Sequence, residues 1–146
     1  MNKELLLKQL RSTVHHRLLK LDHMIEDLRA SNNDTKSSMG DKYETGREML
    51  QQEINRILSQ KSEVQKQYDF LERITDVATP KIALGSLVET DKQWFYISIS
   101  FGTFAFDSKK IITISPEAPL AKALLDATKD DHISFNKVHY HILNIY

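Results

Sequence analysis

Residues 31–46 read SNNDTKSSMGDKYETG, a run with hardly an apolar side chain, set between two long stretches whose apolar residues return every seventh position. Before it, Leu7, Val14, Leu21 and Leu28 form one series, with Leu10 and Met24 filling most of the alternate position and Leu18 and Ile25 broadening the stripe. After the first ten residues of the run, SNNDTKSSMG, the positions Tyr43, Leu50, Ile57, Val64 and Leu71 form a second, supported by Ile54 and Tyr68. A seven-residue period is that of a helix burying a narrow seam against another helix. Neither stripe can be buried alone, and a break of about ten residues is short enough to turn the chain back on itself. The pattern predicts an antiparallel helical hairpin with arms of roughly 45 Å for thirty residues each. Two helices of an oligomeric coiled coil would satisfy the same periods.

From Pro80 the period drops to two. Phe95, Ile97, Ile99 and Phe101 alternate with Tyr96, Ser98 and Ser100, which predicts a strand with one buried face. GSLVET before it, the segment around IITIS, and HISFNKVHYHILNIY at the end supply further strands. Between them PLAKALLDA places Pro119 in a first helical turn, with Leu120, Ala123, Leu124 and Ala127 on one face. The expected class is α+β, a hairpin over 1–79 followed by a small antiparallel sheet domain with one short helix over 80–146. Thr79-Pro80 marks the boundary, because the residue before a proline is pushed to extended geometry.

Composition excludes more than it assigns. The 146 residues contain no cysteine, so disulfides, thiolate zinc sites and cysteine nucleophiles are ruled out. No apolar run approaches a membrane span or a signal-peptide core, and a soluble, cytoplasmic protein is expected. Twenty Lys and Arg balance twenty Asp and Glu, so the chain as a whole is no generic polyanion binder. The charges are segregated, however. Residues 1–21 hold Lys3, Lys8, Arg11, Arg17 and Lys20 against Glu4, whereas 22–53 hold eight acids against four cations.

At the acidic turn near 31–46, Asp41 and Glu44 are three apart. Before a helix that spacing is a capping box, in which the aspartate accepts from backbone N–H groups and the glutamate reaches back. It is equally a pair of carboxylates close on one side of a first turn, able to share a metal. His15, His16 and His23 offer no third ligand, and His139 and His141 share a strand face without a carboxylate, so no zinc site is expected. Trp94, Phe95 and Phe101 are read as sheet core rather than a base-stacking platform. No Ser-His-Asp set or phosphate loop can be assembled, which argues against an enzyme acting alone and against a small-molecule substrate.

Gly40-Asp41-Lys42-Tyr43-Glu44 resembles the Gly-Asp-x-x-Glu motif of the Gre family of bacterial transcript-cleavage factors. Asp107-Ser108-Lys109-Lys110-Ile111 with Ile112-Thr113-Ile114, and the run from Pro119 to Leu125, are similar to two further segments of that family. The likeness covers nearly the whole chain. Thr45 stands where the family usually has Asn, Ala118 where it has Ser, and Asp130-Asp131 replaces a Gly-Asp turn. The resemblance implies an FKBP-like sheet domain without isomerase activity, and a monomeric transcription elongation factor among the DNA-binding transcription proteins. It implies RNA polymerase as partner, with the hairpin entering its secondary channel toward the nascent RNA 3′ end. Asp41 and Glu44 would then assist a Mg²⁺ shared with the polymerase and held only in that complex. Two Mg²⁺ ions about 4 Å apart stabilise attacking and leaving oxygens in phosphodiester cleavage, and Mg²⁺ takes only one or two carboxylates from a partner. Lys8, Arg11, Arg17 and Lys20 would line the channel or the extruded RNA, or form a solvated helix face. A regulator that occupies the channel without stimulating cleavage, and a structural coiled-coil adaptor, fit the same residues.

Overall fold

The computed structural model of the chain describes residues 1–37 and 44–146, the side chains of 33–37 and of Glu44 excepted. Helix α1 runs over Lys3–Ser37 and α2 over Glu44–Glu72. Six strands follow, β1 Leu87–Thr90, β2 Trp94–Ile97, β3 Gly102–Phe106, β4 Lys109–Ile114, β5 His132–Phe135 and β6 Val138–Ile145, with the short helix α3 Pro119–Leu124 between β4 and β5. The chain forms two compact units, one of Met1–Leu10 with Phe70–Tyr146 and one of Arg11–Asp69.

In the second unit the two heptad series bury Val14, Leu18, Leu21, Ile25, Ile54, Ile57 and Val64. His15 meets Tyr68 with ring centroids 5.7 Å apart, and Asp22 pairs with Lys61 at 2.6 Å. As the position in α1 rises from 15 to 22, its partner in α2 falls from 68 to 61. The helices are therefore antiparallel. Helix α1 continues through SNNDTKS, which the sequence reading treats as part of the break. Those residues are weak helix formers at a few tenths of a kcal/mol each, but none is Gly or Pro, and a long helix propagates through them. Helix α2 stops at Glu72, well short of Pro80, where β-branched Ile74, Thr75, Val77 and Thr79 disfavour helix.

The sheet order is β3-β4-β2-β1-β6-β5. All pairs are antiparallel except β2 with β4, which run parallel with Trp94 opposite Ile111 and Ile97 opposite Ile114. The sheet is mixed, mostly antiparallel rather than wholly so. The expected single strand over 95–101 ends at Ile97, because the chain must cross the end of β4 to reach the outer position of β3. Ser98 N–H donates to Ile114 O at 2.8 Å at the start of that crossing, and Gly102 finishes it at φ +106°. The buried Thr113 hydroxyl fastens it, donating to Gly102 O at 2.8 Å and accepting from Phe101 N at 3.1 Å. Strand β3 returns to β4 through Asp107 and Ser108, and β5 to β6 through Asn136 and Lys137, all at positive φ as a two-residue type I′ turn requires.

Strand β2 is buried on both faces, not one. Phe95 and Ile97 pack with Ile82, Val88, Ala121, Leu124, Tyr140 and Ile142, so α3 covers that side through Ala121 and Leu124 rather than Ala123. On the other face Tyr96 and Ser98 are fully buried, together with Leu87, Ile111 and Thr113. Leu6, Leu7, Leu10, Leu71 and Ile74, from the helices and the segment that follows them, are buried in the same unit and provide the cover. Gly85 lies so near the chain after α2 that a Cβ there would meet Ile74 Cγ2 and Thr75 O at 3.2 Å. Gln9 Nε2 donates to Ala105 O at 3.0 Å.

Lys3 belongs to this packing and not to a basic face. It is 6% exposed, and its Nζ donates to Val77 O at 3.0 Å and Tyr146 O at 2.9 Å. Burial pushes its pKa below the ordinary lysine value, against an opposing pull from Asp76.

Removing a fully buried leucine typically costs about 2–5 kcal/mol. Leu10→Ala should accordingly lower the urea midpoint reported by Trp94, the one tryptophan in the chain. An unshifted Trp94 transition would mean that α1 does not cover the sheet. That 80–146 forms a domain of its own stands as a proposal, and a fragment of those residues should unfold cooperatively but at lower urea than the whole chain, lacking Leu6, Leu10, Leu71 and Ile74. A fragment without a cooperative transition would place the 79/80 division inside a folding unit.

Candidate functional site

The pairs His15 with Tyr68 and Asp22 with Lys61 lie symmetrically about positions 41 and 42 of the chain. Asp41 itself lies outside the described residues. Glu44 opens the described part of α2, and its side chain too is outside them. Neither the capping box nor the shared-metal geometry is therefore among the described contacts. In chain order both acids fall where the antiparallel register reverses.

The four candidate cations do not form one stripe. Nine residues of helix are two and a half turns, so Lys8 and Arg17 leave opposite sides of α1, and the set divides into Lys8 with Arg11 and Arg17 with Lys20. Lys8, Arg17 and Lys20 are exposed and Arg11 is half-buried. Arg17 and Lys20 line an open groove of about 440 Å³ in the hairpin unit with His16, Leu21, Met24 and Gln60. Met24, placed by the sequence reading in the seam, is instead on this surface.

The histidines are dispersed. His16 Nδ1 lies 2.7 Å from Ser12 O, and His23 Nδ1 lies 3.8 Å from Glu26. On the sheet, His139 Nδ1 is 3.0 Å from Ser134 Oγ, while His141 stacks on His132 at 4.4 Å and approaches Asp130 at 3.8 Å. Among the described residues no three His, Asp or Glu side chains converge as a metal would require. No described helix is long and apolar enough to cross a membrane.

The start of β2 holds features that the sequence reading passed over. Trp94 is half-buried rather than core; it stacks near Tyr146 at 5.9 Å, and Lys109 Nζ lies 5.4 Å from its ring centroid. The turn before it is closed by Thr90, whose hydroxyl donates to Gln93 O and accepts from Gln93 N. Asp91 clasps this turn to β6: its Oδ1 accepts from His141 N at 2.8 Å and its own N–H donates to His141 O at 3.1 Å. The hydrogen bond from His141, with help from Lys92, holds the Asp91 carboxyl below its ordinary range. Across β1, Glu89 accepts from Asn144 at 2.8 Å and from the Tyr146 hydroxyl at 3.3 Å. Burial first, and Glu89 second, raise the Tyr146 pKa.

No family model matches the sequence, and no curated protein matches it either. Among solved structures the chain is similar to the transcription factor Gfh1, at 19% identity over 93% of this chain and 92% of that one, with a TM-score of 0.38. It is similar to the GreA factor homolog 1 (Gfh1) protein of Thermus thermophilus at 23% identity, covering 96% and 92%, with a TM-score of 0.36. It is also similar to Thermus aquaticus Gfh1 at 18% identity, covering 92% of each chain, with a TM-score of 0.34. These neighbours are homologues of the factors whose motifs the sequence resembles.

A carboxylate whose pKa is depressed on folding stabilises the fold above its unfolded pKa, and that contribution is lost as pH falls through the folded value. For Asp91 the loss should therefore begin below about the ordinary value of 3.8. Urea unfolding of the wild type and Asp91→Asn from about pH 6 to about pH 2 should show the wild type's advantage shrinking over the acid end of that range. An advantage that stayed constant with pH would assign the clasp to hydrogen bonding without charge.

Proposed function

We propose that this chain is an RNA polymerase secondary-channel factor that stimulates the polymerase's own cleavage of backtracked RNA. The observation that supports this reading is the antiparallel register of two long helices about positions 41 and 42, the point in chain order where Asp41 falls and shortly before Glu44 opens the described part of α2. At 35 residues α1 is roughly 50 Å long, a reach suited to a narrow channel. The two acids would contribute hard carboxylate oxygens to a Mg²⁺ otherwise held by the polymerase, and orient the attacking water. The pair is too few to hold that ion alone. The sheet unit, read as an FKBP-like module, would dock outside the channel and carry much of the affinity, and the factor would act as a monomer in the cytoplasm.

A second reading has its own support. Thr45, where the family usually has Asn, followed by Gly46, and a cation, Lys42, between the two acids suit a regulator that fills the channel without completing the metal site.

The decisive experiment uses halted, backtracked polymerase with radiolabelled RNA, scored for short 3′ fragments after the protein and Mg²⁺ are added. Asp41→Asn and Glu44→Gln keep capping ability, since Asn caps well and Gln can complete the box. They should leave thermal unfolding and polymerase binding nearly unchanged while reducing cleavage by an order of magnitude or more, as disturbance of a metal shell typically does. Full cleavage by the double variant would leave the acids as a cap. Tight binding by the unmodified protein without any cleavage would establish the channel-filling regulator instead.

A further inference from the structure

The parallel pairing of β2 with β4 sets Trp94 opposite Ile111, so that at one end of the sheet Lys109 shares the Trp94 face and the next residue, Lys110, alternates to the other side of the strand. There an open groove of about 440 Å³ is lined by Lys92, Trp94, Thr103, Lys109, Lys110 and Ile112, with no carboxylate in its wall. It continues along edge strand β3 as a second groove of about 430 Å³ that shares Thr103, Lys109 and Lys110. Cations, a hydroxyl, an aromatic plane and one apolar wall are thus arranged along a path rather than around a closed cavity.

We propose that this groove binds single-stranded nucleic acid, with phosphates on Lys109 and Lys110 and one base against the Trp94 indole. Lys92 contributes less, since Asp91 lies 3.3 Å from its Nζ. The Lys109 ammonium already lies over the indole, so a stacking base displaces it and frees it for a phosphate; attraction and stacking are exchanged at one residue. A strand is favoured over an isolated nucleotide because the groove runs on past Trp94 along β3. It is favoured over a duplex because only an unpaired base can offer its face to the indole. The inference concerns the sheet unit and is independent of whether Asp41 and Glu44 assist cleavage.

The single tryptophan makes the test direct. Titrating the whole protein with a single-stranded oligonucleotide should quench Trp94 fluorescence, with a salt dependence of about 0.7 logarithmic units per phosphate and hence a slope near −1.4 for two lysines. Lys109→Gln with Lys110→Gln should weaken the quenching titration by roughly tenfold or more and flatten its slope toward zero. Arg56→Gln with Lys66→Gln, in the hairpin unit, should leave it unchanged. The proposal is overturned by an oligonucleotide that leaves the Trp94 signal unaltered, or by quenching indifferent to the two sheet lysines. Equal quenching by a duplex of the same length would remove base stacking from it. Equal quenching by polyglutamate would reassign the groove to an acidic protein segment.

Discussion

A sheet whose inner strand is apolar on both sides must be covered twice, and the rest of this molecule is arranged around that requirement. One cover is α3 with its few small and branched side chains. The other comes from Leu6, Leu7, Leu10, Leu71 and Ile74, residues that in sequence belong to the helices. Burying each such side chain is worth roughly 1.5–3 kcal/mol, far more than any surface ion pair in the structure. Chain ends that a heptad count assigns to the hairpin are thus recruited to the sheet. Lys3 marks the seam chemically: a lysine is buried there only because two carbonyls receive its ammonium protons.

Where local pattern and tertiary demand agree, the sequence is legible. The seven-residue series foretell both helices, and Pro119 foretells the start of α3. Strand β3 is not legible, because its turn is Asp107-Ser108 and neither residue is the glycine or asparagine that announces a type I′ turn. Nor can alternation alone reveal that Tyr96 is buried, since period two says which residues share a face but not whether the opposite face is covered. The end of α2 at Glu72 is a similar case. The heptad ends with Leu71, but the proline nine residues on is the louder signal, and it marks a later event.

The candidate site divides in the same way. Asp41 and Glu44 are legible only as a motif, since a cap and a metal pair demand the same two residue types at the same spacing. The basic run over 1–21 looks like one patch when read as a list, and becomes a buried clasp at Lys3 and two pairs on opposite helix sides once the turn angle is applied. Trp94 is read from the sequence as core rather than as a stacking platform, and the pattern does not show otherwise. Its lysine neighbours are fifteen and sixteen positions away, and a parallel pairing, which period two does not reveal, is what brings them together.

Zero net charge argues against polyanion binding only if the charges act as an average, and in salt water they do not. At physiological ionic strength the screening length is about 8 Å, so a phosphate senses the groups that line its own site and little else. Among the described residues, no acid of 22–53 lines the Trp94 groove. Asp91 is engaged with His141 N–H and Lys92, and Glu89 with Asn144 and Tyr146. Those donors orient the two carboxylates without cancelling their charge, and the groups that line the groove itself are the lysines Lys92, Lys109 and Lys110.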